Sequence, residues 1–122
     1  MKLLIVDDSL IIRNKINRAL LSRFDKVARA ENGQQAISMV RSERPHVITM
    51  DLTMPEVNGV EAIKQIMKIA PETHILVISA LADKATAIKA LTLGANGFLC
   101  KPFSELDLNA AIERILEIEL ST

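Results

Sequence analysis

Four short apolar runs punctuate the chain: Leu3–Val6, Val47–Met50, Ile75–Ile78 and Phe98–Cys100. Between them, apolar residues recur at three- and four-residue intervals, the period of a helix with one buried face. A fifth, weaker run, Lys26–Ala30, carries charge on both sides of Val27 and Ala28 and reads as an edge strand. Strand-like and helix-like segments therefore alternate five times, which predicts βαβ units and a parallel sheet. The first helix is expected from Leu10 to about Arg23, capped by Ser9, with Ile12, Ile16, Ala19 and Leu20 on its buried face. The second runs from Gly33 to about Glu43, burying Ala36, Ile37 and Val40, and Pro45 closes the turn that follows. Pro55, Asn58 and Gly59 make residues 52–59 a loop, after which a third helix spans about Val60–Ala70 and stops at Pro71. A fourth spans about Lys84–Leu93, with Gly94 as its stop. Ser104 caps the last helix, whose buried stripe is Leu108, Ala111, Ile112, Ile115 and Leu116, with Asp107, Arg114 and Glu117 opposite.

Composition narrows the picture. A chain of 122 residues suits one domain, residues 1–122. The hydrophobic content of 49% includes only three aromatic residues, all Phe, so the core must be aliphatic. Formal charge is balanced, which argues against nucleic acid or an anionic membrane surface as a partner. No apolar stretch approaches a membrane span, and the opening apolar run meets Asp7-Asp8 after four residues, too soon for a signal sequence. The expectation is a cytoplasmic protein without membrane insertion. The single cysteine, Cys100, allows no internal disulfide and, lying in an apolar run, is expected to be an inert core thiol.

The strand ends carry the candidate chemistry. Leu3–Val6 stops at Asp7-Asp8, Val47–Met50 at Asp51, Ile75–Ile78 at Ser79-Ala80 and Phe98–Cys100 at Lys101-Pro102. In a parallel sheet these exits share one edge, the edge where open α/β sheets bind ligands. Two unit charges about 5 Å apart repel by roughly 3 kcal/mol at an effective dielectric near 20, so three clustered carboxylates call for a cation. Oxygen donors with no His or Cys beside them select a hard ion, and Mg²⁺ suits one or two carboxylates with water and phosphate. A carboxylate is also a nucleophile able to form an acyl phosphate, with Lys101 and Ser79 placed to contact phosphoryl oxygens. Taken singly these residues have plainer uses: an Asp at a strand end is commonly a cap or turn residue, and Lys-Pro a loop entrance. Their common position, at successive strand exits, is what singles them out.

In this scattered but ordered set (Asp7-Asp8, Asp51 with Pro55 and Gly59 after it, Ser79-Ala80, Lys101-Pro102-Phe103) the chain resembles the receiver domain of two-component response regulators over its whole length. The opening Val6-Asp7-Asp8-Ser9 with Arg13 is most similar to the stand-alone chemotaxis members. The resemblance implies a doubly wound, five-stranded parallel sheet in the order 2-1-3-4-5 with helices on both faces. It implies that Asp51 accepts a phosphoryl group from a histidine kinase or a small acyl phosphate. Asp8, Asp51 and the backbone carbonyl of Thr53 would hold Mg²⁺, with Asp7 acting partly through water. Lys101 would contact the phosphoryl group, and the Lys101–Pro102 bond would be cis. The family's switch pairs a hydroxyl with an aromatic, here Ser79 and Phe98: Ser79 moves to the phosphoryl group, Phe98 turns inward, and the face of helix 4, strand 5 and helix 5 changes partner. Phe98 has the alternative reading of an ordinary core aromatic.

The implied protein is a switch that catalyses only its own phosphorylation and dephosphorylation, a monomer or a weak phosphorylation-dependent dimer. Its target would be a flagellar switch or another output protein. Some details depart from the commonest pattern. Phe98 stands where chemotaxis members carry Tyr, and Ser79 where Thr is more usual. Thr53 and Leu81 stand where other members often carry Asn and an acid; neither suits orienting an attacking water, so self-dephosphorylation is expected to be slow. Only Ser121-Thr122 follow the last helix, which favours the stand-alone form over the receiver part of a longer regulator. An aspartate-nucleophile phosphatase of the haloacid dehalogenase type is a further alternative, but it needs a second Asp where Thr53 stands. Leu106, Ile118 and Leu120 fall off the last helix's buried stripe and read either as partner surface or as ordinary exposed apolar residues.

Overall fold

The computed structural model describes residues 1–54, 58–80 and 84–120, without the side chains of 118–120. Five strands, β1 (Lys2–Val6), β2 (Lys26–Ala30), β3 (Val47–Met50), β4 (His74–Ser79) and β5 (Gly97–Cys100), form one sheet in the order β2-β1-β3-β4-β5. All four pairings are parallel. The helices are α1 (Leu10–Leu20), α2 (Gly33–Glu43), α3 (Gly59–Ile69), α4 (Lys84–Thr92) and α5 (Glu105–Leu120). The expected elements and sheet order are all present.

Because side chains alternate along a strand, each strand feeds two cores. Leu4, Val6, Ile48, Met50, Ile75 and Val77 point to the face covered by α2 and α3, where Ala36, Ile37, Val40, Ala62, Ile63 and Ile66 meet them. Leu3, Ile5, Val47, Leu76 and Ile78 point to the opposite face, where α1 and α5 supply Ile16, Ala19, Leu20, Leu108, Ile112 and Ile115. Aliphatic packing on both faces is what an aromatic-poor sequence requires.

Boundaries follow local chemistry. Ser9 caps α1, its hydroxyl accepting from the Ile12 amide, and α1 tightens into a 3₁₀ turn over Leu21–Arg23 that was expected to be its last α-turn. Asn32 and Asn58 cap α2 and α3 in the same way. The Ser104 hydroxyl accepts from the Asp107 amide at 3.0 Å, as its expected capping role requires. Gly94 has φ 121, a conformation open to glycine, and an added Cβ would lie 2.8 Å from the Met67 Sδ.

Cys100 corrects an expectation: it is exposed, not a core thiol. Strand β5 is an edge strand, paired among the described residues with β4 alone, and its burial is partial along Gly97–Leu99 and lost at Cys100. Leu106 is 80% exposed. The readings placed on Pro55, Leu81, Ile118, Leu120, Ser121 and Thr122 lie outside the described residues and side chains.

Candidate functional site

The order of the strands reverses at β1 and β3, so the connections leaving them diverge to opposite faces and open a crevice at their carboxyl ends. Asp7 and Asp51 continue the ladder there: the Asp7 amide donates to the Ala30 carbonyl at 3.2 Å and the Asp51 amide to the Val6 carbonyl at 2.9 Å. These backbone bonds aim two buried carboxylates, 1% and 4% exposed, at the crevice. Asp8, next along the chain, is exposed. One carboxylate oxygen from each of Asp7, Asp8 and Asp51 falls within 4.8 Å of the others.

Lys101 reaches this cluster from the far edge of the sheet. Its Nζ lies 2.8 Å from Asp7 Oδ2 and 3.6 Å from Asp51 Oδ1. The Lys101 amide donates to the Ser79 carbonyl at 2.9 Å, and the Lys101–Pro102 peptide is cis, as expected. Ser79 is fully buried at the end of β4. Thr53 is exposed beyond β3, and its amide donates to Asp51 Oδ1 at 3.4 Å. Phe98 stands apart: half-buried on β5, opposite Val77, it packs against the core under α2 and α3.

Two features hold the crevice open and in register. Gly59 begins α3 directly beneath Asp51, with its amide donating to the Leu52 carbonyl at 3.1 Å. Arg13, on the buried face of α1, donates from Nη1 to the Asp7 carbonyl at 2.7 Å. The sequence had a signal for Arg13 that went unused: it sits three and seven residues before Ile16 and Leu20 on the apolar stripe, where a buried charge requires a partner. Arg13→Ala is expected to lower the unfolding free energy by about 2 kcal/mol, the usual worth of a hydrogen bond from a charged donor. Denaturant unfolding measures this, and an unchanged midpoint would show that the bond contributes little.

The electrostatics are unbalanced. The Asp51 carboxyl is pushed up to about 6, first by burial and then by the Asp7 charge, against the smaller opposing effects of Lys101 and the Thr53 amide. Lys101 therefore compensates three carboxylates only in part. A divalent cation fits: the donors are all oxygen, they converge, and their charge is in excess. Asp7, Asp8 and Asp51 are the residues to hold it. Since the ion binds the ionised carboxylate, Mg²⁺ affinity is expected to fall about tenfold between pH 7 and pH 5 as Asp51 takes up its proton. Titration calorimetry at the two pH values checks this, and a pH-independent affinity would refute binding of the ion to an Asp51 carboxylate with a raised pKa.

Comparison with known proteins agrees with this geometry. A family model described as the response regulator receiver domain matches residues 3–113. The chemotaxis protein CheY of Thermotoga maritima is 38% identical over 115 residues, covering 93% of this chain and 96% of that protein. The transcriptional regulatory protein DegU of Brevibacillus brevis is 36% identical over 116 residues, covering 93% of this chain and 48% of that protein. Among solved structures, Vibrio cholerae chemotaxis protein CheY4 superimposes with a TM-score of 0.85 at 30% identity, covering 93% of this chain and 96% of that one.

Proposed function

The chain belongs to the family of response regulator receiver domains, and from that premise we propose that it is a signalling switch worked by phosphorylation of Asp51. The observation that carries the reading is the meeting of Asp51 with Asp7, Asp8 and Lys101 at the sheet's carboxyl edge. An Asp51 carboxylate oxygen attacks the phosphorus of a phosphohistidine or acyl phosphate, forming a P–O bond. The P–N or P–O bond to the donor breaks, and the leaving group departs with its electron pair. Bound Mg²⁺ would draw charge from the phosphoryl oxygens. Asp8, Asp51 and the Thr53 carbonyl would hold it, with Asp7 acting partly through water.

Lys101 then has a second acceptor. Bound to Asp7 and near Asp51, it moves to a phosphoryl oxygen once Asp51 is modified, and the buried Ser79 hydroxyl is drawn to another. Those contacts bias two packings of the region around α4, β5 and α5, with Phe98 turning inward in one of them. The donor is a histidine kinase and the output is a phosphorylation-dependent protein partner. Similarity to CheY at nearly its full length supports a chemotaxis-type regulator. Similarity to DegU supports a second reading, the receiver part of a longer regulator.

The experiment is incubation with Mg²⁺ and acetyl phosphate, read by intact mass. Wild type is expected to gain one phosphoryl group and Asp51→Asn none. Equal modification of both would overturn Asp51 as the acceptor, and no modification of wild type would overturn the reading itself. After donor removal, the phosphoryl group is expected to persist for minutes or longer, since Thr53 offers no group suited to orienting water; loss within seconds would contradict that.

A further inference from the structure

Lysine 15 has no place in the acidic cluster, yet it grips the loop that delivers Lys101. Its Nζ donates to the Phe103 carbonyl at 2.5 Å and lies 4.4 Å from the centre of the Phe103 ring. The ring is 4% exposed, packed in the core between α1 and α5. One ammonium therefore holds both the backbone and the side chain of a residue two positions after Lys101.

The other attachments of this loop explain why the grip matters. Before the loop, the Lys101 amide is tied to the Ser79 carbonyl; after it, Ser104 caps α5. Between those points, Lys15 supplies an attachment to α1. The same helix, two residues earlier, holds the Asp7 carbonyl through Arg13. Lys101 and Asp7 are themselves joined at 2.8 Å. Helix α1 thus clamps both partners of that ion pair from behind, Asp7 through Arg13 and Lys101 through Lys15 and Phe103.

The geometry points to Lys15 as a positioning residue for phosphoryl transfer, one that sets the placement of Lys101 by clasping Phe103. This rests on the reading of Asp51 as phospho-acceptor. When Lys101 exchanges Asp7 for a phosphoryl oxygen, its side chain must swing while its backbone stays in place. An ammonium fixed to the Phe103 carbonyl separates those two motions. Without it, the backbone of residues 101–103 is free to follow the side chain, and transfer slows because the charge is misplaced.

The test compares Lys15→Met, which keeps the apolar stem over the ring and removes the donor, with Lys15→Arg, which restores a cationic donor able to stack on Phe103. Lys15→Met is expected to take up phosphate from acetyl phosphate about tenfold more slowly than wild type. Its Mg²⁺ affinity is expected to stay within about threefold, since the carboxylates are untouched. Lys15→Arg is expected to recover most of the rate. Amide hydrogen exchange at Lys101 and Phe103 is expected to accelerate in Lys15→Met alone. A Lys15→Met protein that phosphorylates at the wild-type rate would overturn the proposal. So would one whose rate and Mg²⁺ affinity fall together with its thermal stability, which would mark a purely structural role. If wild type itself accepts no phosphoryl group, the functional reading fails, and exchange at Lys101 and Phe103 still decides whether the clasp exists.

Discussion

Asp51→Asn is expected to lose phosphoryl uptake completely and yet to be the more stable protein in the absence of divalent cation. The two effects have one cause. Asp51 sits 4% exposed beside Asp7, and its carboxyl is raised from the usual 3.8 to about 6. A raised carboxyl binds its proton more tightly in the folded state than in the unfolded one. Its contribution to stability is therefore fully present below about pH 4 and is lost as pH rises towards 6. At pH 7 the folded protein carries a buried charge it would shed if it could. A shift of that size corresponds to about 3 kcal/mol at most, and asparagine's own amide must still find partners, so a gain of about 2 kcal/mol is expected. Near pH 4 the mutant's advantage should be gone. Mg²⁺ should reverse the order at pH 7, since an ion that binds only the folded carboxylates stabilises wild type by mass action. Urea unfolding at pH 4 and pH 7, with and without Mg²⁺, measures all of this. A mutant less stable than wild type at pH 7 without metal would refute the charge argument, whatever its phosphorylation.

Gly59→Ala should do the most damage of any single methyl group near the site. An added Cβ would lie 2.2 Å from the Asp51 carbonyl oxygen and 2.5 Å from the Leu52 Cα. Both are backbone atoms, so no side chain can turn aside to relieve the overlap. Either α3 must lift from the end of β3 or the Asp51 backbone must move. The first loosens the core that Ala62, Ile63 and Ile66 make with the sheet; the second displaces the nucleophile. A loss of about 3 kcal/mol or more in unfolding free energy is expected. In whatever fraction remains folded, phosphorylation should slow by up to about a hundredfold, as a 1 Å displacement of a reacting group can cost. Gly97→Ala is the control: among the described residues its Cβ would meet only the Leu76 Cδ1 at 3.2 Å, the movable end of a side chain. It should cost about 1 kcal/mol or less. A Gly59→Ala protein with near-wild-type stability and rate would show that the approach of α3 to Asp51 is not tight in solution.

These two cases mark how far the chain could be read directly. Asp7, Asp8, Asp51, Ser79 and Lys101 were legible because each ends an apolar run, and strand ends converge wherever a parallel sheet forms. Gly59 was legible only as a turn former. Its closeness to Asp51 comes from the packing of α3 on β3, which no local pattern encodes. Cys100 was misread for a related reason: an apolar run reports a strand but not whether that strand lies at the centre or the edge of its sheet. Lys15 and the role of Arg13 were missed because both reach carbonyl groups, and every residue offers one.

The sequence by itself determined the five βα units, the two alternating faces of each central strand and the residues at each strand exit, because hydrophobic period and strand termination are local properties of the chain. Only the tertiary structure decided which exits meet and how closely. It set the 2.8 Å contact between Lys101 and Asp7, the burial that raises the Asp51 carboxyl and the clasp of Lys15 on Phe103. Those depend on distances between residues as many as 94 apart in the chain (101 minus 7), and such distances are settled by the packing of helices on both faces of the sheet.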